Sequence, residues 1–388
     1  MKHIFSKIFG LAALLLLASC SDVVDDRLDN YTSADQMANT EAPSITGVYA
    51  ITDTAHANPL STASLGQMVR IVGQNLNQVK SIKFNGVEAD LKQAYTHFTE
   101  AVATISNTPS FDNINTVEYT TDKGSTTFPL TIVFPDLVVE GLENEFTTAG
   151  DTVHITGSAF NLYGFDNGKA TVTLGGQTLQ IDTITPTYMN VVIPAGTPDN
   201  STISVNWVAV GNVAKSAVLQ FRPSARLIFP DLEAVQHDKT NPFTSYATDA
   251  DVTSTKSAEG AKHLHFTGDI NAWSWTETSF AANMPQLGEI SMQQQSLVFE
   301  ILTDKDHPLP SSGSSDGILI GWNWGDNLAW NATQSGPLNT LGKWRTVRIP
   351  LSSFNADLKS GVWTTLKFVF QFNTATTLDF RMANFRIE

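Results

Sequence analysis

Apolar residues in this chain recur at every second position, in short runs broken by turns. VRIVG (69–73), SIKFNG (81–86), ATVTLGG (170–176) and MNVVIP (189–194) show the pattern early in the chain. SLVFEIL (296–302), WRTVRIPL (344–351), TLKFVFQF (365–372) and LDFRMANFRI (378–387) show it later. A period of two sends alternate side chains to opposite faces of a strand, and Gly, Asn, Asp and Pro mark the turns between runs. No segment sustains apolar residues at i, i+3, i+4 and i+7 long enough for a major helix, so the chain is all-β. Its 388 residues leave room for two or three such domains.

An internal repeat sets the borders. Gly66, Val69, Ile71 and Gly73 recur as Gly150, Val153, Ile155 and Gly157, and each set is followed by a short strand ending in glycine, IKFNGVEADL and VTLGGQTLQI. Alternation puts Val69 with Ile71, and Val153 with Ile155, on one sheet face. Gly73 and Gly157 are expected to take a positive φ at a sharp turn. The second copy carries an insertion near Tyr163–Gly168. FPDL stands at 134–137 and again at 229–232, each time after an apolar strand that its proline ends. Two sandwich modules are therefore expected at 42–135 and 136–226, with a third domain at 227–388.

The first twenty residues are separate. Lys2, His3 and Lys7 precede the apolar stretch 8–17, which is shorter than the roughly 20 residues a membrane span needs and reads as the apolar region of a secretory signal. LASC at 17–20 resembles a bacterial lipoprotein box. That resemblance implies acylation of Cys20, the chain's single cysteine, so no disulfide can form within the chain. Asp22, Asp25 and Asp26 are similar to the acidic tag of surface lipoproteins of Bacteroidota. Residues 21–41, polar throughout, read as a flexible tether.

Seven of the eight tryptophans fall in the third domain, at 273, 275, 322, 324, 330, 344 and 363; Trp207 lies outside it. Burying one indole is worth ~4–6 kcal/mol at ~25 cal/mol per Å². Exposed ones need a ligand to explain them. A pyranose ring offers one: its axial C–H face is flat and apolar, and its hydroxyl rim suits Asn, Gln, Asp or Arg. Trp273, Trp275, Trp322, Trp324 and Trp330, with Asn271 and Asn323, are the candidate carbohydrate-binding residues. Asp326, Asn327 and Asn331 stand nearby. Trp322 shares strand parity with Ile318 and Ile320, which argues for the core instead. Trp344 and Trp363, at the starts of regular strands, read as structural.

Net charge is −15 with 23 Lys and Arg and no basic run, so the footprint of a nucleic-acid binder is absent. A glycosidase would need two carboxylates roughly 5–9.5 Å apart. Asp269, Glu277, Asp316 and Asp326 are available, but none forms a recognisable pair. No serine elbow, HExxH, P-loop or dinucleotide motif is present, so no catalytic residue and no cofactor are expected. His263 and His265 share a strand face that reads as surface. Asp231 and Asp379 are the residues that would help hold a structural calcium, which wants six to eight oxygens.

The run G-x-x-V-x-I-x-G-x-N-L followed by FNG, carried by Asn75, Leu76, Phe84, Asn85 and Gly86, resembles the immunoglobulin-like IPT/TIG fold; Ser158–Asn161 departs from it in the second copy. GKWRTVRIPLSSF (342–354) and the terminal NFRIE resemble jelly-roll carbohydrate-binding modules. Together with the lipobox, this order resembles the surface glycan-binding lipoproteins of Bacteroidota polysaccharide-utilisation systems. The resemblance implies two tandem IPT/TIG sandwiches followed by a jelly-roll-like β-sandwich. It also implies a lipid-anchored, non-catalytic protein on the cell surface at the outer membrane. Its partners would be a neutral polysaccharide or oligosaccharide, a β-glucan by preference, and an outer-membrane glycan importer with its binding lipoprotein. An adhesin meeting a protein partner through the same aromatic patch is the alternative, with a glycoside hydrolase behind it.

Overall fold

A computed structural model describes residues 38–232, 235–237, 244–248, 262–309, 317–323, 328–329, 339–355 and 357–388. The chain divides into two compact units. One holds the described part of Met1–Asp136 with Val208–Val213, and the other Leu137–Trp207 with Ala214–Glu388. Among the described residues the helical elements are single 3-10 turns, such as Leu91–Gln93 and Phe160–Leu162.

The first unit is a sandwich. One sheet runs in the order Ser44–Ala50, Met68–Gln74, Glu100–Thr104, Tyr95–Thr96, and the other in the order Val87–Glu88, Val79–Phe84, Thr116–Thr121, Gly124–Pro129. Val48, Val69, Ile71 and Ala101 from the first meet Ile82, Phe84, Val117 and Tyr119 from the second in one dry core. The Tyr119 hydroxyl, buried there, donates to the Leu76 carbonyl at 2.6 Å. Residues within the segment read as a tether pack on this sandwich. Asn39 is buried and donates to the Asn77 carbonyl, and the Thr40 amide donates to Asn75 at 3.1 Å, so both residues pack on the sandwich.

The second copy repeats the plan within the other unit, with sheets Val138–Leu142, Thr152–Ser158, Tyr188–Val192, Ile181–Ile184 and Gln177–Thr178, Thr171–Leu174, Ser201–Ala209, Val213–Phe221. Val153, Ile155, Val172, Met189, Val191, Ile203 and Val205 are all fully buried. The 3-10 turn Phe160–Leu162 leads into the insertion, whose Tyr163 and Phe165 are buried.

The repeat glycines have a different cause from the expected one. Gly66 and Gly150 carry positive φ, at 71° and 100°, and Gly73 and Gly157 do not. A Cβ at Gly73 would overlap the Ser44 carbonyl oxygen, and one at Gly157 the Val138 carbonyl oxygen. The neighbouring strand is irregular beside each, between Ile45 and Gly47 and between Val139 and Gly141. Such a bulge presses backbone against backbone, and only a residue without Cβ fits.

The third domain packs two five-stranded sheets face to face. The front sheet runs Gln236–His237, Thr276–Asn283, Trp363–Gln371, Gly317–Trp322, Leu328–Ala329. The back sheet runs Thr244–Thr248, Lys262–Ile270, Thr376–Ile387, Ser296–Thr303, Arg345–Pro350. Aromatic rings fill the layer between them. Phe266 and Phe380 stack at 4.5 Å, and Phe280, Phe368 and Phe370 meet Phe266 edge-on. The geometry is that of favourable offset and T-shaped pairs. Trp322 is part of this layer, fully buried with Ile318 and Ile320 and T-shaped against Phe354 at 6.0 Å. This corrects its place among the candidate ligand contacts: the pleat keeps one parity inside, and Trp322 has that parity.

Two stability predictions follow from these contacts. Gly73→Ala is expected to cost about 1–3 kcal/mol through the forced shift of the Ser44 strand, read as a lower midpoint in urea unfolding. Trp322→Ala should cost about 3–5 kcal/mol, whereas Trp275→Ala, at an exposed position, should stay within about 0.5 kcal/mol of the unaltered chain. Similar midpoints for those two variants would contradict the burial pattern.

Candidate carbohydrate-binding site

The candidate residues separate along the front sheet. The strand Lys262–Ile270 ends in the back sheet and Thr276–Asn283 begins in the front sheet, so residues 271–275 cross between the layers at one end of the sandwich. Residues 372–375 cross there too, from Trp363–Gln371 to Thr376–Ile387. The first crossing is tightly held. The Ser274 amide and hydroxyl both donate to the Asn271 carbonyl, at 3.1 and 2.8 Å, and the Trp273 amide donates to the Phe372 carbonyl at 2.7 Å. Trp273 sits at φ 59°, a left-handed conformation that carries the chain round the corner.

That turn leaves both indoles uncovered. Trp273 is 60% exposed and Trp275 54%, and Asn271 is exposed beside them. The Trp275 indole Nε1 donates to Glu277 Oε2 at 3.3 Å, and Lys367 Nζ lies 3.9 Å from the same oxygen. Thr278 and Phe280 point into the core, so Trp275 and Glu277 belong to the outward parity of the strand. The result is an apolar plate edged by a carboxylate, an ammonium and an amide. The Lys367 charge offsets that of Glu277, which leaves the edge rich in hydrogen-bonding groups yet close to neutral.

Asn323 lies elsewhere. Trp322 pairs with Leu366 and Thr276 with Phe370, four positions apart on the shared strand, or about 13 Å at 3.3 Å per residue. Asn323 takes a φ of 45°; its amide donates to the Thr365 carbonyl and its side-chain oxygen accepts from the Thr365 amide, both at 2.9 Å. It closes the strand end. Trp324 and Trp330 lie outside the described residues, as do Cys20, Asp316, Asp326, Asn327 and Asn331. The structure therefore brings Asn271, Trp273 and Trp275 together and sets Trp322 and Asn323 apart from them.

Trp344 is buried, in line with its structural reading, but Trp363 is 49% exposed, against it. Trp363 pairs with Asn283 at the far end of the same strand pair, about 23 Å from the Thr276 level. Parity alone would not have marked it: Trp363 shares a face with Thr365, Lys367 and Val369, all buried, and is exposed because it stands at the strand's end. His263, expected at the surface, is fully buried with its ring 5.6 Å from that of Trp344.

Asp304, His307 and Asp379 bring donor atoms within 4.8 Å of one another. Asp379 Oδ1, however, already takes His265 Nε2 at 2.8 Å and the Arg381 guanidinium at 3.0 Å. Two carboxylates, an imidazole and a competing guanidinium do not suit calcium's demand for many oxygens, and Asp231 is not in the group. As for acid catalysis, Glu300 has its pKa pushed up to about 7 by burial, but it is sealed at 1% exposure against Arg386 and no substrate reaches it.

With this geometry in hand, comparison with known proteins is informative at the level of domains. Residues 225–388 match the family described as the surface glycan-binding protein B xyloglucan binding domain. Residues 137–221 match the IPT/TIG domain, so that match falls on the copy whose Ser158–Asn161 stretch departs from the pattern. No curated protein matches the chain. Among solved structures, the surface glycan-binding protein PbSGBP-B from Prevotella bryantii is 19% identical, with 89% of this chain and 98% of that one covered and a TM-score of 0.49. SGBP-B from a complex xyloglucan utilization locus in Bacteroides uniformis is 15% identical, with coverage of 89% and 99% and a TM-score of 0.46. The SGBP-B of the Bacteroides ovatus mixed-linkage glucan utilization locus, solved with a mixed-linkage heptasaccharide, is 11% identical, with coverage of 89% and 74% and a TM-score of 0.26. At the level of domains the chain is thus similar to the surface glycan-binding protein B xyloglucan binding domain over residues 225–388 and to the IPT/TIG domain over residues 137–221.

Proposed function

We propose that this chain is a non-catalytic surface lipoprotein that captures a neutral polysaccharide, a β-glucan, at the 271–277 end of its third domain. The observation that carries the reading is the pair Trp273 and Trp275, left 60% and 54% exposed on a turn that hydrogen bonds hold in place. Two indoles in water forfeit burial energy that a sugar face restores. Asn271 and Glu277 are placed to meet hydroxyls, and the Glu277–Lys367 pair suits an uncharged ligand. The family description of the domain makes xyloglucan the first β-glucan to test. Acylation at Cys20 would hold the protein at the outer membrane, where a captured chain could pass to an importer and its binding lipoprotein.

Affinity electrophoresis of the full chain tests this. Retardation is expected in gels containing xyloglucan or mixed-linkage β-glucan and not in those containing starch or mannan. Trp275→Ala should weaken it at least about tenfold, a loss of ~1.4 kcal/mol or more, and Trp273→Ala with Trp275→Ala together should abolish it. Raising salt from about 0.05 to about 0.5 M should change little, because stacking and neutral hydroxyl contacts are weakly screened. Full retardation of the double variant, with loss on Trp363→Ala instead, would move the platform to the opposite end of the sheet. No retardation by any glycan would favour a protein partner.

A further inference from the structure

The back sheet of the third domain ends in the edge strand Arg345–Pro350. An open edge normally invites pairing with another chain. Here the Glu143–Phe146 segment of the IPT/TIG module covers it. The Thr346 amide donates to the Glu143 carbonyl at 2.9 Å, the Glu145 amide donates to Thr346 Oγ1 at 3.0 Å, and that hydroxyl donates on to Glu300 Oε1 at 2.9 Å. Glu143 also pairs with Arg345.

Beneath this seam lies Arg386, a guanidinium with no exposed surface. It binds Glu300 at 3.0 Å and Glu388 at 2.6 Å within the third domain, and Glu145 across the seam. Arg348 ties the same Glu145 to Glu388. The guanidinium groups of Arg386 and Arg222 both lie over the buried Phe146 ring, at 5.0 and 5.4 Å from its centroid. The connecting chain is stitched down as well, through Arg226 Nε to the Ile387 carbonyl at 2.8 Å and the Ile228 amide to the Phe385 carbonyl at 2.8 Å.

We propose that residues 137–388 are one obligate folding unit, in which the IPT/TIG module covers the open edge of the third domain, completes the hydrogen bonding of its buried Arg386 and fixes the direction in which its 271–277 end faces. Glu145, which comes from outside the third domain, is the acceptor for the Arg386 Nη2 donor, and a buried guanidinium donor left without its acceptor is destabilising. The inference does not rest on the glycan reading, and its test involves no sugar.

The network also responds to pH. Three carboxylates face two guanidinium groups, one negative charge in excess. Burial pushes Glu300 up to about 7; Arg386 opposes this and Glu145 adds to it. Asn384 on the Arg386 strand and Thr346 on the edge strand complete its surroundings. Burial acts to raise Glu388 too, but Arg386 and Arg348 hold it below the usual range. Between the ordinary glutamate pKa and about 7 the folded chain keeps a proton on Glu300 that the unfolded chain releases. Stability therefore falls as pH rises through that window.

Hydrogen exchange on the full chain, read by mass spectrometry, tests the dependence. Glu145→Ala should speed exchange at least about tenfold in Ser296–Thr303 and Thr376–Ile387, strands of the third domain that lie outside the substituted module. Glu145→Gln, which keeps a hydrogen-bond acceptor, should produce a smaller increase. Acceleration confined to residues 137–221 would overturn the proposal. In the same chain, Tm should fall by roughly 4–8 °C between pH 5.5 and 8.5, and Glu300→Gln should flatten that slope. An unchanged slope would overturn the part assigned to Glu300.

Discussion

The dry aromatic layer between the two sheets of the third domain decides the roles of most residues around it. Phe266, Phe280, Phe368, Phe370 and Phe380 fill it, and the pleat admits to it only side chains of one parity. Trp322 has that parity and is absorbed. Trp275 and Trp363 have the other, and Trp273 sits on a turn that leaves the sheets altogether. The exposed indoles are those the core cannot reach. Their hydrogen-bonded anchorage makes them a preformed surface, which lowers the ordering cost of binding.

A second constraint comes from the edge of that layer. A five-stranded sheet has two open sides, and the chain covers one with a loop from the preceding module, at the cost of burying an arginine and its carboxylates. Buried ion pairs give little net stability, but they are exacting about geometry. Their use at a seam between two modules is consistent with a demand for fixed orientation.

Much of this was legible in the sequence. Alternation gave the all-β class and the burial of Val69, Ile71, Val153 and Ile155, because a period of two maps directly onto sheet faces. Trp273 and Trp275, named from the sequence as candidate ligand contacts, are uncovered. The cause of Gly73 and Gly157 was not legible: a close approach by another strand depends on tertiary pairing, and a positive φ is the nearer guess from local sequence. Trp363 departs from its structural reading because position at a strand start does not say how far a side chain is covered, and His263 from its surface reading because a face shared with His265 does not say what packs on it. The Arg386 network joins residues 86 and 241 positions apart and left no local trace.

The central claim is that carbohydrate seats on the 271–275 crossing between the two sheets. A crystal structure of the full chain with a xyloglucan oligosaccharide tests it most directly. The account predicts a glucosyl ring stacked on Trp273 or Trp275, with hydroxyls reaching Asn271 or Glu277. Sugar density elsewhere on the third domain, with residues 271–277 bare, would contradict it.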